Sequence, residues 1–206
     1  PRAVGLAASV ITVTIWTSFI VIARASAQRT LGPFDIALLR ILGAGLILLP
    51  WGWWIVRTRG LPGWLGVSPL PWRQTALTGL FGGLLYAMLA YSGFFYAPAA
   101  HASVLMPGSL PLWTTLLAAV ILRERITPAR AAGLALIVAG DLLVGGASRL
   151  QAFSGGDVWR GDLLFMSAAF CWSVYSVLAR KHGLGAVEAT IAVTVFAAVF
   201  YLPGYV

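Results

Sequence analysis

Apolar residues run in long blocks along this chain, and most of the charged residues gather between them. Seven blocks stand out, at about 3–23, 34–56, 74–97, 99–122, 128–146, 161–180 and 186–206. Most hold about 20 residues, enough for an α-helix to cross a hydrocarbon core roughly 30 Å thick. The pattern predicts an all-α polytopic membrane protein. Thr127-Pro128 reads as the start of the fifth span, with threonine as cap and proline at the first helical position. The first block also admits a signal-peptide reading, with Ala25-Ser-Ala27 as the cleavage site. Its apolar run, however, exceeds the roughly 7–15 residues of a signal.

Two of the blocks carry the same phrase. Trp16-Thr-Ser-Phe-Ile-Val-Ile-Ala-Arg24 returns as Trp172-Ser-Val-Tyr-Ser-Val-Leu-Ala-Arg180, with Trp, Val, Ala and Arg at matching places. The second copy is internal and cannot be a signal. The second copy lies five spans after the first, an odd offset, so the two cross in opposite directions. Duplicated units of inverted topology are a sequence mark of secondary transporters. The organisation expected is therefore a first repeat over 1–146 with five helices, an external linker over 147–160, and a second repeat beginning at 161–206 with two helices. If the repeats are of similar length, a full second copy needs roughly three more spans, about 90 residues. Ten helices are then expected in full, of which about seven lie in this chain.

Composition supports the membrane reading and narrows the function. The chain is 60% hydrophobic and 10% charged, against about 45–50% and 25% for a soluble domain. Its 23 glycines and 11 prolines suit helices that pack closely and sometimes break. The net charge of +8 is not read as a nucleic-acid surface, because the basic residues flank apolar blocks as topology signals do. With the N-terminus in the cytoplasm, Arg2, Arg57, Arg59, Arg73, Arg123, Arg125, Arg130, Arg180 and Lys181 lie inside. Arg24, Arg29, Arg149 and Arg160 lie outside, and Arg40 falls within span two. Nine against four favours that orientation. The lone Cys171 excludes disulfides within the chain and cysteine metal clusters, and the sequence contains no asparagine and so no N-glycosylation acceptor. There is no His-Glu-x-x-His, Gly-x-Ser-x-Gly or Walker motif, and the two histidines are far apart. No catalytic residue, metal or cofactor is expected.

The stretch from Tyr96 to Val144 carries a more specific pattern. Tyr96-Ala-Pro-Ala-Ala-His-Ala-Ser-Val-Leu105 leads to Pro111-Leu-Trp113, then to the turn Leu122-Arg-Glu-Arg-Ile-Thr127, then to Gly133 and Gly140. It resembles the EamA repeat of the drug/metabolite transporter superfamily, in which a Pro and an apolar run lead to Leu-x-Glu-Arg and a Gly-containing helix. Arg40 matches that family's early arginine; Asp141 departs from it, standing where an apolar residue is usual. The resemblance implies ten helices, both termini in the cytoplasm, a cavity between the halves, and export of small metabolites. Bacterial exporters of aromatic and neutral amino acids are the subgroup it suggests. A carrier of other metabolites or drugs, a lipid flippase or a channel could use the same fold.

Transport sites lie near the midplane, often where helices are interrupted. In span four, Pro107 and Pro111 lack N–H donors and leave the carbonyls of Ser103 and Pro107 without their helical partners. Such carbonyls need protein or a wet cavity, so Met106, Pro107 and Ser109 are expected to line the cavity, with Trp113 as a stackable wall. Tyr86, on the small-residue face of span three, is expected to place a ring and a hydroxyl there. Trp16 and Phe19 with Trp172 and Tyr175 occupy equivalent faces of the two repeats. Gly79-x-x-x-Gly83 reads as a packing motif, and His101 as an interfacial or hydrogen-bonded histidine. Three charges are expected to be structural or gating: Arg40, reaching the interface or pairing with Asp35 or Asp141; Asp141, paired with Arg24 or Arg40 or else serving proton coupling; and Glu124, holding the turn. These candidates suit a neutral or zwitterionic small molecule with an apolar side chain, an amino acid foremost, in a protein expected to be surrounded by lipid in the bacterial inner membrane.

Overall fold

The computed structural model describes residues 2–27, 32–152 and 156–205. Among them there is no strand, and the helices are α1 (Arg2–Ala27), α2 (Pro33–Arg59), α3 (Trp72–Gly79), α4 (Tyr86–Tyr96), α5 (Ala99–Ile121), α6 (Pro128–Ala152), α7 (Val158–Lys181) and α8 (Ala186–Tyr205). A π-helical segment, Leu80–Leu85, joins α3 to α4 in one rod. Seven rods thus stand where seven spans were expected. Six helical segments among the described residues are long and apolar enough to cross a membrane. α6 runs on to Ala152, into the stretch read as linker. Arg29, one of the topology charges, lies outside the described residues.

The burial pattern is that of a protein dissolved in lipid. Large aliphatic side chains point outward, with Leu46, Leu136 and Leu143 each more than 70% exposed. The interior is made of small and aromatic residues, including Ala90, Ala102, Ala168, Phe94 and Phe165. In hydrocarbon, apolar side chains gain little by leaving the solvent, so helices associate through close packing and through polar bonds between them.

Two seams organise the bundle. The first joins α5 to α7, and its bonds show that the two helices are parallel. At their N-terminal ends His101 Nδ1 lies 2.8 Å from Asp162 Oδ1. Midway, the Thr114 hydroxyl donates to Ser173 Oγ at 3.1 Å, and Ser173 Oγ lies 3.4 Å from the carbonyl of Leu110. At the C-terminal ends Arg180 on α7 bonds to Glu124, just past α5. Close packing brings α4 against the same helix: a Cβ on Gly161 would come within 2.5 Å of Cβ of Ala97, the C-cap of α4, and one on Gly93 within 2.6 Å of the Phe165 ring.

The second seam joins α2 to α8, antiparallel. Tyr201 on the last turns of α8 donates to the carbonyl of Phe34 at 2.6 Å, and Tyr205 bonds to Asp35, both near the start of α2. At the other end Arg59 reaches Glu188 at 3.2 Å. Asp35 also accepts from the Gly32 N–H, capping α2, and Gly60 closes that helix in the left-handed conformation.

Local signals behave as their chemistry requires. Thr127 Oγ1 accepts the Arg130 N–H at 3.3 Å, so α6 starts where the Thr-Pro pair placed it. The expected break in α5 does not occur: the helix runs through Pro107 and Pro111. Hydroxyls lie beside the backbone there, Ser109 Oγ donating to the Leu105 carbonyl and Ser173 Oγ near that of Leu110. Neighbouring helices and Ser side chains commonly make proline tolerable inside a membrane helix.

The close contacts lead to a direct expectation. Gly161→Val should lower the stability of the detergent-solubilised protein by about 1–3 kcal/mol, because the backbone and Cβ of Ala97 cannot move aside. Gly133→Ala, which meets open space on α6, should leave thermal unfolding unchanged or raise its midpoint. Equal behaviour of the two variants would contradict this packing.

Candidate functional site

The π-helical segment opens onto the interior of the bundle. Gly79, Gly82 and Gly83 carry no side chain there, and the space is taken from across the bundle. A Cβ on Gly82 would lie 2.6 Å from the Tyr175 ring and one on Gly83 2.9 Å from Val193, while Phe196 presses on Gly79. The motif is therefore a packing surface, and π-helical turns are frequent at functional sites.

Two cavities adjoin this segment. One, of about 170 Å³, lies between α2, the π segment, α7 and α8, and is lined by Arg40, Gly82, Gly83, Trp172, Tyr175 and the hydroxyl residues Thr190 and Thr194, among others. The other, of about 420 Å³, lies between α1, α2, α4 and α7, and is lined by Thr12, Ile15, Trp16, Phe19, Arg40, Tyr86 and Trp172. Arg40 and Trp172 belong to both walls. Trp172 is packed between Tyr86, with ring centroids 4.9 Å apart, and Tyr175, at 5.2 Å. The Arg40 guanidinium stands 6.0 Å from the centroid of the Tyr86 ring. The structure thus gathers four of the sequence candidates, Trp16, Tyr86, Trp172 and Tyr175, around Arg40. Phe19 joins the same wall and packs edge-on to Tyr91 and Phe94.

The span-four candidates sit elsewhere. Met106 and Ser109 are fully buried in the helix packing, and Trp113 packs edge-on against Phe170 at 5.4 Å. Neither they nor Pro107 line the two cavities. The cause is the unbroken course of α5: with no opened turn, its inner face is spent on α7. The Trp113 indole N–H is buried without a hydrogen-bond partner.

The expected pairings of the intramembrane charges are also replaced. Asp35 is held by Tyr205 and the Gly32 N–H rather than by Arg40. Arg24 donates to the carbonyl of Phe94, on the last turn of α4, where the negative end of the helix dipole favours a cation. Asp141 therefore pairs with neither Arg24 nor Arg40. Its Oδ1 lies 2.9 Å from where a Cβ on Gly108 would stand, and its Oδ2 is buried without a hydrogen-bond partner. Glu124 bonds Arg180 and lies 3.9 Å from Arg130. The two arginines that close the repeated phrase thus each tie a helix end: Arg24 the end of α4, Arg180 the turn after α5. The His101–Asp162 pair settles the hydrogen-bonded reading of His101.

Sequence reasoning missed Thr190 and Thr194 in the cavity wall. Their spacing of four residues in an otherwise apolar span was the available signal, because it puts both hydroxyls on one helical face. Each hydroxyl donates to its own helix, Thr190 to Ala186 and Thr194 to Thr190. Among the described residues, no group of three or more His, Cys, Asp or Glu is placed to hold a metal.

These features define a multi-pass helical membrane protein with cavities inside its bundle, and the comparisons with known proteins carry the identification further. The model of the EamA-like transporter family matches residues 3–146, and the chain belongs to that family. The family is one of transporters, not of enzymes. A protein of Archaeoglobus fulgidus described as an uncharacterized transporter is 30% identical over 198 residues, covering 94% of this chain and 64% of its own length. The Bacillus subtilis protein described as uncharacterized transporter YyaM is 29% identical over 105 residues, 51% of this chain and 33% of its own length. The chain spans less than two thirds of the length of these relatives. No solved structure matches significantly.

Lone cysteines can separate cavity from core. In a Cys171→Ala background, Ala44→Cys in the cavity wall should react with a hydrophilic thiol reagent, and Met106→Cys, 1% exposed, should not. Labelling of Met106→Cys at the rate of Ala44→Cys would return the span-four residues to the site.

Proposed function

We propose that this protein is a secondary transporter exporting small metabolites, foremost neutral or aromatic amino acids, across the cytoplasmic membrane by alternating access. The observation that carries the reading is the meeting of two cavities at Arg40 and Trp172, between helices of the first repeat and helices at the start of the second. Walls of aromatic rings, small residues and threonine hydroxyls suit a molecule with an apolar side chain and a small polar head. Among the described residues neither wall contains an acidic side chain, as a site for polyvalent cations would need.

In this reading the two repeats are inverted, further helices complete the second, and the N-terminus lies in the cytoplasm. The antiparallel pairing of α2 with α8 supports the inversion, since these are the second helices of the two repeats. Movement between inward and outward states would rock one repeat against the other. On the proposed orientation the Glu124–Arg180 bond lies on the cytoplasmic side and the Arg24–Phe94 bond on the opposite side. Proton exchange, if it drives export, is assigned to Asp141, whose carboxylate is held by no cation among the described residues.

Uptake into proteoliposomes tests the proposal. Labelled phenylalanine should enter saturably and be displaced by unlabelled neutral amino acids. Trp172→Ala should lower that uptake by about tenfold through loss of the ring wall, with folded protein still recovered. Loss of gradient dependence in Asp141→Asn would support proton coupling. Absence of uptake of every amino acid tested, by folded protein, would end the amino-acid assignment.

A further inference from the structure

We propose that Arg40 is the carboxylate anchor of the transported molecule, so that the site recognises an organic acid with an apolar body and depends little on an amino group. The inference deepens the transport reading above and rests on it for the location of the site.

Arg40 is the eighth residue of α2, about 10 Å along the helix from Pro33. It lies inside the apolar segment Phe34–Arg59. A cation at such depth is costly and is ordinarily found facing water, an anion or a cavity. Among the described residues, ion pairs engage Arg59, His101, Arg130, Arg160 and Arg180, and none engages Arg40. The nearby carboxylate of α2, Asp35, is taken by Tyr205 and the Gly32 N–H. The neighbours of the guanidinium are instead Tyr86, through its ring face, and Tyr91, through a side-chain hydrogen bond that occupies part of its donor set. A ring face offers attraction without directed acceptors. The guanidinium has five N–H donors in a fork that matches a carboxylate in two parallel bonds.

Tyr91 leaves donors of that fork unused, and the position of Arg40 turns it to both cavities. Arg40 is the one cation in the wall of either cavity among the described residues, and it stands where the two walls meet. Trp172, the other shared residue, is braced by Tyr86 and Tyr175. A carboxylate on Arg40 would leave the rest of the ligand free to lie along that ring wall. Among the described residues no acidic side chain in either wall is placed to hold an ammonium group. Recognition therefore falls on the carboxylate and the apolar body.

The test compares ligands that differ in one group. Binding is read from the ligand-induced shift in melting temperature of the purified protein, and transport from competition against labelled phenylalanine in proteoliposomes. The probes are phenylalanine, phenylalaninamide and 3-phenylpropionate, which keeps the carboxylate and lacks the amine. Phenylalanine and 3-phenylpropionate should bind within a few-fold of one another, and phenylalaninamide about tenfold to a hundredfold more weakly. Arg40→Gln should abolish that discrimination, and Arg40→Lys should keep part of it. If Arg40→Gln does not fold, the ligand series on the unmodified protein and on Arg40→Lys decides. Transport of phenylalanine with equal competition by the amide, or unchanged discrimination in Arg40→Gln, overturns the anchor and leaves the transport reading standing. Binding of 3-phenylpropionate that requires Arg40, without transport of any amino acid, keeps the anchor and removes the amino-acid reading. Failure of all three probes to bind overturns the anchor, and uptake of labelled phenylalanine then decides the transport reading separately.

Discussion

The parallel seam between α5 and α7 is the contact on which the rest of the bundle depends. Lipid supplies almost no net drive for apolar side chains to come together, so the helices need geometry and polar bonds instead. The seam has both. Small buried residues line the two helices, Ala102 on α5 and Gly161 and Ala168 on α7, and Gly93 and Ala97 bring α4 against the same helix α7. Polar contacts at the two ends and in the middle fix the register: His101 with Asp162, Thr114 with Ser173, and Glu124 with Arg180. A shift of either helix by one turn would strand several of these groups in a medium that cannot solvate them.

The seam also explains why the proline-rich stretch does not line these two cavities. With α7 laid along it and hydroxyls beside its backbone, α5 keeps its helical course, and Met106 and Ser109 become core residues. The opening is provided on the other side of α7. There Trp172 and Tyr175 face away from α5 and toward the glycines of the π segment. Space exists because Gly82 and Gly83 contribute no side chain, and ring-bearing neighbours fill it only in part. One helix, α7, thereby serves as both structural partner and cavity wall.

The α2–α8 pairing places the charge. Tyr201 and Tyr205 hold the start of α2, and Arg59 with Glu188 holds its other end. With Asp35 engaged in this clamp, Arg40 is left to the aromatic side of the interior. The two arginines of the repeated phrase work differently, each securing the end of another element near a membrane surface. A cation in the wall of both cavities, in no ion pair among the described residues, is the feature that most clearly separates the cavity from the packing around it.

Much of this was legible in the residues themselves. Seven spans, the cap at Thr127, the packing use of the Gly79–Gly83 motif and the likeness to the EamA repeat follow from patterns a few residues to a few tens of residues long, which local physics governs. Trp16, Trp172 and Tyr175 were candidates because ring-bearing positions recur at equivalent places in the two copies of one phrase, and Tyr86 because it interrupts a small-residue face; all four line the cavity walls. What local pattern did not decide was which face of each helix meets which neighbour. Pro107 and Pro111 read as a break because the sequence does not display the helix that lies along them. Asp141 and Arg40 read as partners because opposite charges in an apolar setting attract, while only the assembled bundle shows one against Gly108 and the other over Tyr86. Sequence alone determined the helices and their medium; the tertiary structure decided the partners, because in lipid it is close packing and unsatisfied polar groups that select among otherwise equivalent apolar faces.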